Sequence, residues 1–221
     1  AGRLATYVNA IHPLEHSFDG YLLQIYFGNG TLLEVGDAIV NINTPPPASS
    51  APSAEPAPSL SLEAMARVGL RGRNQLRDDL DVPVMVVNSE LEAVACLDVR
   101  QPDTDRFRYW EAAGLSHTAF QTTTARAVKY ERDFGEPLAV DQAMNRIPIV
   151  PLYDAALHHV NRWVGGGDPP PSQPLIEFDS VGLARDAHGI ALGGVRVPQA
   201  DVPVGVNSAI PLGRDILALL R

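Results

Sequence analysis

Pro83–Val84–Met85–Val86–Val87–Asn88–Ser89–Glu90–Leu91–Glu92 carries an unbroken apolar run that ends in polar and acidic residues. Pro83–Val87 has the length and side chains of a strand, and Glu92–Leu97 reads as a short helix after it. Downstream, Arg106–Phe107–Arg108–Tyr109–Trp110–Glu111 alternates as a strand does and runs into Gly114–Leu115–Ser116–His117. A carboxylate and a histidine are thereby delivered at successive strand ends. Glu92 and His117 are 25 residues apart, enough for a helix and one crossover to a neighbouring parallel strand. An acid beside a histidine orients and charges the imidazole for general acid–base work. The spacing predicts that pair at the carboxyl edge of an open α/β sheet, where such sheets place their sites.

Upstream, Phe18–Asp19–Gly20–Tyr21–Leu22–Leu23–Gln24–Ile25–Tyr26–Phe27 is almost continuously apolar and stops at Gly28–Asn29–Gly30, which predicts a strand buried on both faces. Before it, Leu4, Tyr7, Val8 and Ile11 fall at helical spacing over Ala1–His12, and Pro13 is expected to end that helix. No Ser, Asp or Asn stands in front as a cap, so the helix reads as the continuation of something earlier. From Thr44 to Ser59 the composition shifts to Pro, Ala and Ser. Residues 44–59 cannot bury enough surface to offset their ordering entropy, and are expected to form a mobile or polyproline-like insertion within the domain. Ser61–Leu62–Glu63 then opens an expected helix to about Leu76, weakened by Gly69 and Gly72.

Beyond His117 the pattern predicts helices over Ala119–Arg132 and Tyr153–Val164, the second ended by Gly165–Gly166–Gly167. Leu175–Phe178, Val181–Arg185 and Ile190–Leu192 read as short strands, with Asp186–Ala187–His188–Gly189 as a turn. Strand, helix and strand alternate through the first half, which argues for a parallel sheet covered by helices on both faces.

Composition sets outer limits. The chain has 221 residues of which 45% are hydrophobic, so it can bury a core as a globular domain rather than remain disordered. A net charge of −9 opposes binding to nucleic acid or an anionic membrane surface, so neither is an expected partner. Cys96 is the single cysteine, which rules out an internal disulfide. No apolar run reaches membrane-spanning length.

Each candidate residue also has a plainer reading. His117 is compatible with a surface-loop histidine, but its place after a strand and a glycine suits an imidazole hanging over the sheet edge. Glu92 is equally compatible with an exposed first-turn carboxylate favoured by the helix dipole. Glu90 is the alternative acid, and Asp98 and Asp103 read as solvated. His158 and His159 are adjacent on a helix and diverge by about 100°, which makes no metal face. His12 and His16 have i, i+4 spacing, but the intervening Pro13 is expected to break the helix that would pair them. His188 lies in the predicted turn. No metal site follows from these patterns. Gly165–Gly167 and Gly193–Gly194 lack a nucleotide-loop setting and read as turns.

Ser89–Glu90–Leu91–Glu92, Arg100–Gln101–Pro102–Asp103–Thr104, Trp110–Glu111–Ala112–Ala113–Gly114–Leu115–Ser116–His117, and Gly193–Gly194–Val195–Arg196–Val197–Pro198 followed by Asp201–Val202–Pro203 resemble segments of a bacterial family of α/β-hydrolase domain proteins. The resemblance covers nearly the whole chain. It implies that Glu92, where Asp is usual, holds the place of the catalytic acid and that His117 holds that of the catalytic histidine. In that family a Gly-x-Ser-x-Gly or Gly-x-Ser-x-Ser elbow precedes the helix that resembles Ala1–His12. No Gly-x-Ser-x-Gly occurs in the 221 residues.

The resemblance therefore implies the C-terminal part of an α/β-hydrolase fold, beginning just after the nucleophile elbow and holding three sheet strands: Asp19–Phe27, Pro83–Val87 and Arg106–Glu111. Residues 1–221 are expected to form one incomplete domain, with 150–221 as a cap or C-terminal extension. The implied activity is hydrolysis of a small-molecule carboxylic ester by a Ser-His-acid triad, with the serine upstream of Ala1 and no cofactor. A non-catalytic α/β binding module and an acyltransferase on the same fold are the alternatives. Oligomeric state and compartment are left open.

Overall fold

The computed structural model describes residues 1–28, 30, 75–180, 182–203 and 209. The proline-rich insertion at 44–59 and the expected helix from Ser61, except its last two residues, lie outside the described residues.

Three parallel strands form the central sheet: β1 (Tyr21–Gln24), β2 (Val84–Ser89) and β3 (Phe107–Ala112), in the order β1-β2-β3. Tyr21 pairs with Val84, and Val84 with Phe107. Every residue of β2 is buried, as a central strand with both faces covered must be. Its alternation sorts the core in two. Val84 and Val86 join Tyr21, Leu23, Phe107 and Tyr109 beneath Ala5 and Val8. Met85 and Val87 join Trp110, Ala112, Leu152, Ala156 and Val160 on the other face. Full burial of each such side chain stabilises the fold by roughly 1.5–3 kcal/mol.

The first of those covering layers is the N-terminal helix, made of α1 (Gly2–Thr6), a π-helical turn (Tyr7–Ile11) and α2 (His12–Glu15). Pro13 does not end it. A proline lacks its N–H, and its ring clashes with the carbonyl four residues back, here that of Asn9. The wide π turn spans Asn9 and relieves the clash, so the helix runs to Glu15 and stops at His16, which is left-handed at φ 48°.

β1 is shorter than its apolar run. Ile25 donates its N–H to Val87 O at 3.0 Å and then turns at φ 52°, a conformation that branched side chains rarely adopt. Asn88 catches the departing chain: its Oδ1 accepts from Tyr26 N at 2.7 Å and its Nδ2 donates to Tyr26 O at 3.0 Å and Tyr109 Oη at 2.9 Å. One amide side chain thus links β2 to the chain leaving β1 and to a side chain of β3.

α3 (Glu90–Ala95) follows β2 directly, and β3 leads through a turn to α4 (Phe120–Phe134). α5 (Val150–Val164) packs across β1 and β2. It starts three residues before the expected Tyr153, with Pro151 in its first turn, where the missing N–H has no partner to lose.

The three expected C-terminal strands shorten to β4 (Phe178–Asp179) and β5 (Gly182–Leu183), with single bridges Ile176–Gly193 and Arg185–Ala191. α6 (Pro198–Asp201) closes the described chain. This segment is clamped to β3 by a buried carboxylate, Glu111, which accepts from Arg100 Nε at 2.8 Å, Arg100 Nη2 at 2.5 Å and Ile176 N at 2.9 Å. Gly194 allows the close approach: it sits at φ 67°, and a Cβ there would lie 2.8 Å from Glu111 O. Among the described residues no helix is long and apolar enough to cross a membrane.

Candidate active site

The junction of β2 and α3 is built by Ser89. Its extended backbone (ψ 178°) caps α3, and it forms a capping box with Glu92 three residues on. Glu92 Oε2 accepts from Ser89 N at 2.9 Å and from Ser89 Oγ at 2.5 Å. That leaves Oε1, which lies 2.5 Å from His117 Nδ1. Glu92 is 0% exposed, so it is not the solvated first-turn residue of the plainer reading. Both its oxygens are bonded, as the burial of a polar group requires.

His117 sits beyond β3 on a loop fixed at several points. Gly114 makes the turn at φ 75°, and a Cβ there would stand 3.2 Å from Ala200 Cβ and Ile190 Cγ2. Asn145 donates to Gly114 O at 2.9 Å and accepts from Ile147 N at 2.8 Å. Leu115 O accepts from Glu90 N at 3.1 Å. Ser116 Oγ donates to Thr118 O at 2.9 Å. Phe27, delivered by the Ile25–Asn88 arrangement, packs its ring 5.5 Å from that of His117. The imidazole is 17% exposed, and among the described residues its Nε2 carries no hydrogen bond.

Glu90, the alternative acid, is turned elsewhere. Residues two apart on a helix point about 200° apart. Glu90 Oε2 accepts from Gly114 N at 2.8 Å, and Arg185 Nη1 comes within 2.7 Å of Oε1, off the hydrogen-bonding axis. Glu90 thus holds the turn that carries His117, while Glu92 meets the ring.

Burial, and then the negative charge of Glu92, push the Tyr153 phenol above its ordinary range, so it stays neutral beside the carboxylate.

The other candidates lie apart from this pair. Asp98 is exposed. Asp103 is not solvated as expected: it accepts from Tyr109 N at 2.9 Å and faces Arg108 Nε at 3.9 Å. His158 is exposed on α5. His159 packs on Trp110, and desolvation, helped by His158 and Arg162, lowers its pKa. His188 is exposed in the turn, its N–H donating to Asp186 Oδ1. His12 and His16, expected to be separated by Pro13, instead share Asp81, because the helix continues through the proline.

Sequence reasoning missed Ser89, Asn145, Phe27 and Asn88. Only Ser89 had a readable signal, the Ser-x-x-Glu capping pattern before a helix. The contacts of Asn88 and Asn145 link residues 62 and 31 positions apart, beyond any local pattern.

A family model described as an alpha/beta hydrolase domain matches residues 1–219. No curated protein and no solved structure matches the chain. The parallel sheet with helices on both faces agrees with the family match, and since that match spans almost every residue, the chain belongs to the alpha/beta-hydrolase domain family.

Proposed function

We propose that this chain supplies the acid and histidine of a serine hydrolase that cleaves carboxylic esters, with the attacking serine contributed by residues preceding Ala1 in a longer protein. The observation that carries this reading is the buried Glu92 carboxylate at 2.5 Å from His117 Nδ1, with Nε2 left for a reacting group. The run of the N-terminal helix supports it. His12 meets Tyr21 at the amino end of β1, whereas Thr6 lies against Gly30, beyond the carboxyl end of β1. The helix therefore begins at the sheet edge where His117 sits.

In this mechanism His117 Nε2 takes the serine proton as Oγ bonds to the ester carbonyl carbon. The tetrahedral oxyanion collapses, the ester C–O bond breaks, and the alcohol leaves with the proton from Nε2. Water then adds to the acyl-enzyme by the same proton route and releases the acid. Glu92 accepts from Nδ1–H throughout, fixing the tautomer and stabilising the imidazolium. Backbone N–H groups next to the serine would receive the oxyanion.

Hydrolysis of a short-chain p-nitrophenyl ester tests the proposal, comparing the 221-residue chain with the longer protein. The longer protein is expected to turn over and its His117→Ala variant to lose about 10⁶ in kcat, while the 221-residue chain is expected to be inactive. Turnover by the 221-residue chain, or by a longer protein indifferent to His117→Ala, would overturn it.

A further inference from the structure

At the opposite edge of the sheet, where the strands begin, three side chains converge that the hydrolase reading does not use. We infer that His12, His16 and Asp81 bind a divalent transition-metal ion of the zinc type. The i, i+4 histidines reach one face because the π turn carries the helix through Pro13, and the left-handed His16 ends that helix with its ring 5.1 Å from that of His12. Asp81 comes from the segment leading into β2, 69 residues beyond His12, and its carboxylate spans both rings.

One edge already matches tetrahedral coordination, and the two histidines face different oxygens of the one carboxylate. His12 Nε2 is 3.3 Å from Asp81 Oδ1, and His16 Nδ1 is 3.6 Å from Asp81 Oδ2. Ligand bonds of about 2.0–2.1 Å in a tetrahedron put neighbouring donor atoms about 3.3 Å apart. All three donors lie within 4.8 Å of one another, and His16, 62% exposed, has room to swing and close the remaining edge. Two imidazoles and one carboxylate favour zinc over calcium or magnesium, which take oxygen donors, and leave a fourth position for water.

The surroundings supply what a metal-binding histidine needs. His12 is 1% exposed and its Nδ1 lies 2.9 Å from Tyr21 Oη. Metal binding would replace the Nε2 hydrogen bond to Asp81, with the ring proton then on Nδ1 and donated to Tyr21 Oη, so that Nε2 presents its lone pair. A metal here would cross-link the N-terminal helix to the segment before β2 and close a long loop, which makes it a structural clamp remote from His117.

Calorimetric titration of the metal-free full chain with Zn²⁺ alone tests this, with Co²⁺ absorption as a second readout. One equivalent is expected to bind, with the visible bands of tetrahedral Co²⁺ and a rise in Tm of several degrees when Zn²⁺ exceeds Kd about 100-fold. His16→Ala and Asp81→Asn alter exposed side chains and should each weaken binding by at least about tenfold, as should Tyr21→Phe through the lost partner of Nδ1. Absence of saturable binding, or binding that ignores both His16→Ala and Asp81→Asn, would overturn the inference.

Discussion

Two histidine–carboxylate pairs stand at opposite edges of one three-stranded sheet, and they invert each other's burial. At the carboxyl edge the acid is sealed, Glu92 at 0% exposure, while His117 is 17% exposed. At the amino edge the imidazole is sealed, His12 at 1%, while Asp81 is 68% exposed. The buried acid is bonded through both oxygens, and it holds a ring whose far nitrogen carries no hydrogen bond among the described residues. Burying the base leaves an exposed acid screened by water, with little electrostatic grip but freedom to move as a ligand. The same two residue types thus stand in opposite environments according to which partner the fold covers.

That contrast can be broken most severely at Glu92. Glu92→Gln in the longer protein should cut kcat by about 10²–10⁴, because an amide no longer holds Nδ1–H in the required tautomer. Weakening the capping box should cost about 1 kcal/mol in addition, so kinetics and urea melts together separate the two roles. Gly114→Ala comes next: a Cβ at φ 75° with three neighbours within 3.3 Å should destabilise by about 1–3 kcal/mol, measured by denaturant unfolding. Glu90→Gln should cost about 1 kcal/mol, since the amide oxygen still accepts from Gly114 N and Arg185, partly exposed, can rehydrate.

The smallest effect belongs to the exposed acid. The hydrogen bond to His12, against the opposing pull of desolvation and with help from the nearby His16, holds the Asp81 carboxyl below its ordinary value. A lowered folded pKa contributes stability that is present above the unfolded value, about 3.9, and lost as pH falls through the folded one. Stability curves measured from pH 5 to pH 2 should therefore fall less steeply for Asp81→Asn than for the parent chain.

How much of this was legible in sequence follows from the range of each contact. β2 was readable because a doubly covered strand needs a continuous apolar run, and the Glu92–His117 pairing because both residues cap adjacent strands. The choice between Glu90 and Glu92 was not. It depends on helix phase at the β2–α3 junction, which places one carboxylate on Gly114 and the other on His117. The continuation of the N-terminal helix past Pro13 has no signal in the sequence, since a π turn leaves no pattern in the apolar spacing that betrays the extra residue. β1 was drawn too long for a related reason. Its apolar residues continue past Gln24, but the left-handed Ile25 is held by Asn88, far along the chain. Asp81 joined His12 by the same kind of distant contact.

A fluorophosphonate probe reads out in one step whether His117 and Glu92 serve a serine that precedes Ala1. The longer protein should label stoichiometrically at one serine on the amino side of Ala1, and His117→Ala should abolish that labelling while Tm stays within a few degrees of the parent. Labelling at a serine within the 221 residues, or labelling undiminished by His117→Ala, would contradict the assignment.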